Sequence, residues 1–163
     1  MNRWVPRLLV VLLLLALTTS TADAQRRSRR RAIVGTSVPT YGAHLGYNFD
    51  GDDVLVGAQL TWPLTPNLAL YPTFDYYFVS AGSLWALNFD LKYRPPTRYG
   101  AWYVGGGLNW SHASAGGVSN SNTGLNLLTG LEGRRGRTRP YVEGKFILSD
   151  NSSFQIVGGI SWR

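Results

Sequence analysis

Between residues 41 and 49 the chain reads Tyr41-Gly42-Ala43-His44-Leu45-Gly46-Tyr47-Asn48-Phe49. Every odd position is apolar or aromatic, and every even one is small or polar. A period of two is the signature of a strand with two unlike faces. The same template fits seven further segments: 54–62, 68–76, 85–93, 102–110, 125–131, 140–148 and 154–162. Turn-rich breaks separate them, and no helical period is visible in the region. The pattern predicts an all-β domain over residues 40–163: an eight-stranded antiparallel up-and-down barrel.

Composition narrows the class. The chain has 163 residues, 44% of them hydrophobic, 13% aromatic and only 15% charged, with a formal net charge of +7. That length suits one domain. The charged fraction lies well below the roughly 25% usual for soluble domains. So many large apolar side chains exclude a disordered chain. With no Cys, a disulfide-stapled mini-protein is excluded as well. Gly (19) and Trp (6) are frequent, and the few charges are mostly Arg.

Before the alternation lies a different text. Arg3 and Arg7 precede ten consecutive apolar residues, Leu8 to Leu17, and Ala22-Asp23-Ala24 then offers small residues for cleavage before Gln25. Residues 1–24 read as a secretory signal peptide, since the apolar run is about half the roughly 20 residues of a spanning helix. Residues 25–39 open with Gln25-Arg26-Arg27-Ser28-Arg29-Arg30-Arg31. They are expected to form a basic, solvated periplasmic arm, with contact to lipid phosphates as the other reading. Nucleic acid is a poor partner for an exported chain.

Which face of the strands points inward decides the class. One face carries Leu45, Val56, Leu60, Leu70, Phe74, Leu87, Leu91, Val104, Leu108, Leu127, Val142, Phe146, Ile156 and Ile160, with no charge anywhere on it. The other holds His44, Asn48, Gln59, Asp75, Asn88, Asp90, Lys92, Asn109, Asn126, Glu132, Glu143, Lys145 and Gln155. A soluble lipocalin-like ligand-binding barrel turns the apolar face inward. A membrane barrel turns it outward, against lipid. Aromatic residues sort by height on the apolar face, which favours lipid. With strands alternating up and down, Tyr41, Trp62, Tyr93, Trp102 and Trp162 fall at one level, and Phe49, Tyr76, Trp85, Trp110 and Phe154 at the other. Two such girdles mark membrane–water interfaces.

An eight-stranded lumen is narrow enough for side chains to fill, so no open channel is expected. Charges enclosed there need partners. Asp90, Lys92, Glu132, Glu143 and Lys145 are expected to form a salt-bridged plug in the periplasmic half, with Asp75 nearer the outer rim. Breaks 94–100 and 133–139 carry Arg94, Arg98, Arg134, Arg135, Arg137 and Arg139 and fall at the periplasmic end. The longest break, Ser111 to Thr123, is expected outside as a flexible tip. Pro72 in mid-strand should force a bulge or forfeit a ladder bond.

The alternation, together with Tyr103-Val104-Gly105-Gly106-Gly107, Gly124-Leu125-Asn126-Leu127-Leu128-Thr129-Gly130-Leu131-Glu132 and the final segment Phe154 to Arg163, resembles the small eight-stranded outer-membrane barrels of the OmpA/OmpX-type superfamily. The resemblance covers residues 40–163. It implies outer-membrane lipid and lipopolysaccharide as surroundings, insertion by the outer-membrane machinery through the last strand, and a Gram-negative cell envelope. That last strand departs from the family in ending on Arg163 after the aromatic Trp162. Members serve as structural proteins, adhesins or enzymes, and the architecture does not choose. A monomer is expected.

One segment bears on catalysis. His112-Ala113-Ser114 is similar to the His-x-Ser segment of the lipid A deacylases of the PagL family, where the His is base and the Ser nucleophile. The position of that family's orienting Glu is Asn126 here, which supplies no charge to an imidazolium. The expectation is therefore no enzymatic activity. No metal or cofactor is expected either. Two His without Cys do not make a usual zinc site, and Asp50-Gly51-Asp52-Asp53 suits a hairpin turn. If the faces are assigned correctly, Leu87→Arg or Val104→Arg should cost roughly 2–4 kcal/mol in unfolding titrations from lipid vesicles, and a lumen change such as Asn88→Ser much less. Equal costs would mean inverted faces.

Overall fold

The computed structural model describes residues 38–96, 102–133 and 137–163. The signal peptide, most of the basic arm and parts of both Arg-rich breaks lie outside the described residues. Eight strands follow one another: β1 (Thr40–Asn48), β2 (Asp53–Pro63), β3 (Leu68–Phe78), β4 (Ser83–Tyr93), β5 (Trp102–Ala115), β6 (Val118–Glu132), β7 (Thr138–Leu148) and β8 (Ser153–Trp162). Each pairs antiparallel with its neighbour in sequence, and β1 pairs with β8 from Tyr41↔Trp162 to Asn48↔Gln155, closing the barrel. Closure leaves the sheet no edge.

Side chains alternate as the period of two requires. Leu45 is 64% exposed and Leu108 62%, whereas neighbouring His44 and Asn109 are 5% and 4% exposed. The apolar face is therefore the outer one. All thirteen polar residues assigned to the opposite face, from His44 to Gln155, are buried. The described interior thus contains far more polar than apolar side chains, with two small apolar clusters around Leu55 and Tyr71.

Of two local expectations, the first is met by its second alternative, a forfeited ladder bond, and the other is overturned. Pro72 forces no bulge: the β2–β3 register is the same on both sides of it, from Gln59↔Thr73 to Trp62↔Leu70, but the ladder skips the positions between. On the β4 side Pro72↔Phe89 stays paired. The missing N–H loses ladder bonding on one side only. The segment Ser111 to Thr123 is not a flexible tip. It continues β5 and β6 as a paired hairpin up to Ala115↔Val118. Gly116 (φ 59°) and Gly117 (φ 83°) turn the corner in the left-handed region, as a two-residue hairpin turn with matching twist demands. Low strand propensity of Ser, Asn and Gly disguised this extension, and the ladder to β5 overrides it.

The same hairpin outgrows its neighbour β7, whose last pair with β6 is Leu125↔Leu148. At the β1–β2 hairpin of the same end, Asp52 takes a positive φ of 58° and Asp50 accepts the Phe154 N–H at 2.7 Å. The acidic turn thus uses its carboxylates locally. Replacing Gly117 by Val should strain the turn by roughly 1–2 kcal/mol. Limited proteolysis should then cut within residues 111–123 faster while the rest of the barrel stays protected; unchanged cleavage would argue against the tight turn.

Candidate functional site

The most organised chemistry lies in the lumen. Lys145 on β7 is its central cation. Nζ stands 3.7 Å from Asp90 Oδ2, 3.9 Å from Glu143 Oε1 and 4.0 Å from Asp75 Oδ2, and donates to Thr73 Oγ1 at 3.4 Å. All four charged side chains are essentially inaccessible to solvent. In such surroundings an unpaired charge is costly, so three carboxylates converging on one ammonium fix each other in place.

Asp75, expected nearer the outer rim than the plug, is also a shared acceptor that joins it. His44 Nε2 lies 2.8 Å from Oδ1, and Asn88 Nδ2 donates to Oδ2 at 2.9 Å. His44 is thus a hydrogen-bonding partner of Asp75. Gly57 makes the meeting possible, since a Cβ there would collide with His44 Nε2 and the Phe74 carbonyl oxygen. Asn88 also donates to Thr73 Oγ1, and its Oδ1 accepts from Asn109 and Asn126, each at 2.8 Å. Asn126 donates further to Asp90 Oδ1 at 2.9 Å. Asn88→Ser is therefore not the mild change its lumen position suggests, because it strands several buried partners, and a cost equal to that of Leu87→Arg would not mean inverted faces.

Lys92 departs from the expected plug as well. Among the described residues it forms no ion pair within 4.0 Å. Its Nζ sits 3.4 Å from the centre of the Tyr71 ring and 4.0 Å from that of Tyr103, with Tyr141 at 5.8 Å. A desolvated ammonium gains from ring faces by cation–π attraction. Tyr103 joins the two halves of the lumen, because its hydroxyl donates to Glu143 Oε2 at 2.8 Å. These tyrosines occupy inward positions of the alternation, so parity could have flagged them; only the strand stagger shows that they surround one lysine.

Glu132 closes one end. Arg94 Nη2 lies 2.7 Å from its Oε2, Arg139 Nη1 lies 4.0 Å from Oε1, and Ser161 Oγ donates to Oε1 at 3.4 Å. Two arginines of the breaks thus belong to the lumen mouth. Of the five expected plug residues, Asp90, Glu143 and Lys145 meet, while Glu132 and Lys92 bind elsewhere.

Outside, the girdle residues find one another in part. Tyr41 and Trp162 rings lie 5.3 Å apart, Phe49 and Phe154 5.6 Å, and Trp85 and Trp110 5.1 Å. Trp62, Tyr93 and Trp102 are exposed on the same outer face near the first pair's end, and Tyr76 pairs across from Trp85. His112 and Ser114 also face outward, two residues apart on β5. The His112 ring lies 5.4 Å from Trp85, and its Nδ1 is 2.9 Å from Ser121 Oγ rather than bonded to Ser114. Asn126 points into the lumen, on the opposite side of the sheet. No cluster suited to a metal ion occurs among the described residues.

A closed antiparallel barrel of eight strands, apolar outside and polar within, is the fold of the small outer-membrane barrels. Three solved structures share it. The N-terminal β-barrel domain of Pseudomonas aeruginosa OprF matches with a TM-score of 0.60 at 16% identity, over 76% of this chain and 95% of that one. Neisserial surface protein A gives 0.57 at 13%, over 76% and 94%. Ail, the attachment invasion locus protein of Yersinia pestis, gives 0.52 at 14%, over 76% and 94%. At these identities the likeness is one of fold. No protein-family model matches the chain, and no curated protein matches it either.

Lys145→Met removes the shared cation and leaves three enclosed carboxylates without it. The loss should be about 3–5 kcal/mol in urea unfolding from lipid vesicles. A loss below 1 kcal/mol would contradict the central place given to this ammonium.

Proposed function

We propose that this chain is an integral outer-membrane protein with a structural or surface-interaction role, a lumen filled by side chains and no open pore. The observation that carries the reading is the uncharged outer face of a closed barrel whose buried interior is polar. A soluble ligand-binding barrel needs the reverse. Residues 1–24 serve export in this reading, and the chain ends, the arm 25–39 and the Arg-rich breaks 94–100 and 133–139 face the periplasm. The β5–β6 hairpin then faces the exterior.

Tyr71, Tyr103, Lys92, Lys145 and Gln155 are among the largest fully buried side chains, and their place in the lumen argues against a water-filled path. The printed names of two fold neighbours, a surface protein and an attachment invasion locus protein, lend weight to a surface role without assigning one.

Catalysis by His112 and Ser114 receives less support. The imidazole is engaged by Ser121, and the third group of a triad would have to come from an outer face that carries no Asp or Glu in the rows around it. Incubated with lipid A, the folded protein should release no fatty acid; release abolished by Ser114→Ala would overturn this part.

The membrane reading is tested by extraction. The protein should stay with the membrane fraction in alkaline carbonate and should migrate differently on a gel before and after boiling. A chain that remains in solution without detergent would contradict it.

A further inference from the structure

The outer face of β4, β5 and β6 changes chemistry with height, and the register fixes the change residue by residue. One cross-strand row is Leu87–Trp110–Thr123, the next is Trp85–His112–Ser121, and the last is Ser83–Ser114–Ser119. All nine side chains point to the same outer side. The rows thus run from Leu–Trp–Thr, through Trp–His–Ser, to three serines, with one indole in each of the first two.

The indoles meet edge to face, with interplanar angle 89°, and Trp110 remains 42% exposed. His112 stacks at a tilt over Trp85 and is held by Ser121, so the aromatic and hydroxyl rows form one continuous surface. No Asp, Glu, Lys or Arg stands in any of the three rows.

We propose that this surface binds neutral sugar rings of the glycolipid in the leaflet around it; the inference rests on the membrane reading above. A pyranose presents apolar C–H faces and a rim of hydroxyls. Indole rings suit the first. Ser83, Ser114, Ser119, Ser121 and Thr123, each both donor and acceptor, suit the second. Recognition of a glycolipid's phosphates would instead call for Arg or Lys forks, which the surface lacks. Height selects the lipid-linked source. Hydroxyls enter with Thr123 and Ser121 in the Trp110 and Trp85 rows, where a girdle meets headgroups, and the all-serine row stands directly beyond, where the sugars that follow the headgroup of a surrounding glycolipid begin.

The folded full-length barrel, reconstituted in nanodiscs, is offered lipopolysaccharide with a complete core oligosaccharide, lipid A alone, or free core oligosaccharide. Bound glycolipid is measured by native mass spectrometry. Complete-core lipopolysaccharide should be retained about tenfold more strongly than lipid A, one decade of affinity. Replacing Ser114, Ser119 and Ser121 together by Ala should bring it to the lipid A level, with the gel mobility of the folded barrel unchanged. A milder pair, Ser83→Ala with Ser119→Ala, should lower retention a few-fold and stands in if the triple variant does not fold. Free core oligosaccharide should not displace the glycolipid at equal concentration.

Equal retention of the two glycolipids, or retention untouched by both variants, would overturn the proposal. Equal capture of the free oligosaccharide would overturn its lipid-linked source. A barrel that fails to insert into nanodiscs contradicts the membrane reading first; one that inserts and does not discriminate contradicts this inference alone.

Discussion

Inside a bilayer no water completes the hydrogen bonds of a polypeptide backbone, so a spanning sheet must find every partner within itself. The ladder between β1 and β8 meets that demand, and much else in the molecule follows from it. Closing the sheet at eight strands fixes a narrow lumen. A narrow lumen crowds inward side chains together, and glycine at Gly57 leaves room for the His44–Asp75 pair. Outward side chains of the strands are uncharged, as the proposed contact with lipid requires.

The lumen in turn explains why the register is so well determined. A slip by one residue along β3, β4 or β7 would turn Asp75, Asp90, Glu143 or Lys145 onto the apolar outer face and Phe or Leu into the polar interior. The three carboxylates around Lys145 and the tyrosines around Lys92 therefore act less as a reservoir of stability than as a selector of one pairing. Even Pro72, which cannot donate to the ladder, is accommodated without a shift of register.

Parity was fully legible in the sequence: every polar residue placed inside by the alternation is inside, and every aliphatic placed outside is outside. The tryptophans and tyrosines at strand ends were legible for the same reason. Contacts across the lumen were not, because they depend on the stagger of strands that are distant in sequence. Asp75 on β3 reaches Lys145 on β7 and His44 on β1, and no local pattern announces that meeting. Arg94 and Arg139, read as loop charges, cap the lumen through Glu132. The Ser111–Thr123 stretch was hidden differently. Its residues favour loops, and it becomes a strand pair only because β5 and β6 are already aligned below it and two glycines accept the turn.

On the membrane reading proposed above, composition takes on a spatial meaning: scarce charge reflects a lipid-facing half of every strand, and abundant tryptophan two interfaces. The claim on which all of this depends is that the outer face touches hydrocarbon. The natural chain has no Cys, so single cysteines at Val54, Val56, Ala58, Leu60 and Trp62 along β2 can each carry a fluorophore. Quenching by lipids brominated at chosen depths should be strongest from mid-chain bromines at Ala58 and from shallow bromines at Val54 and Trp62. Absence of quenching at every position, or quenching without any dependence on depth, would contradict the account.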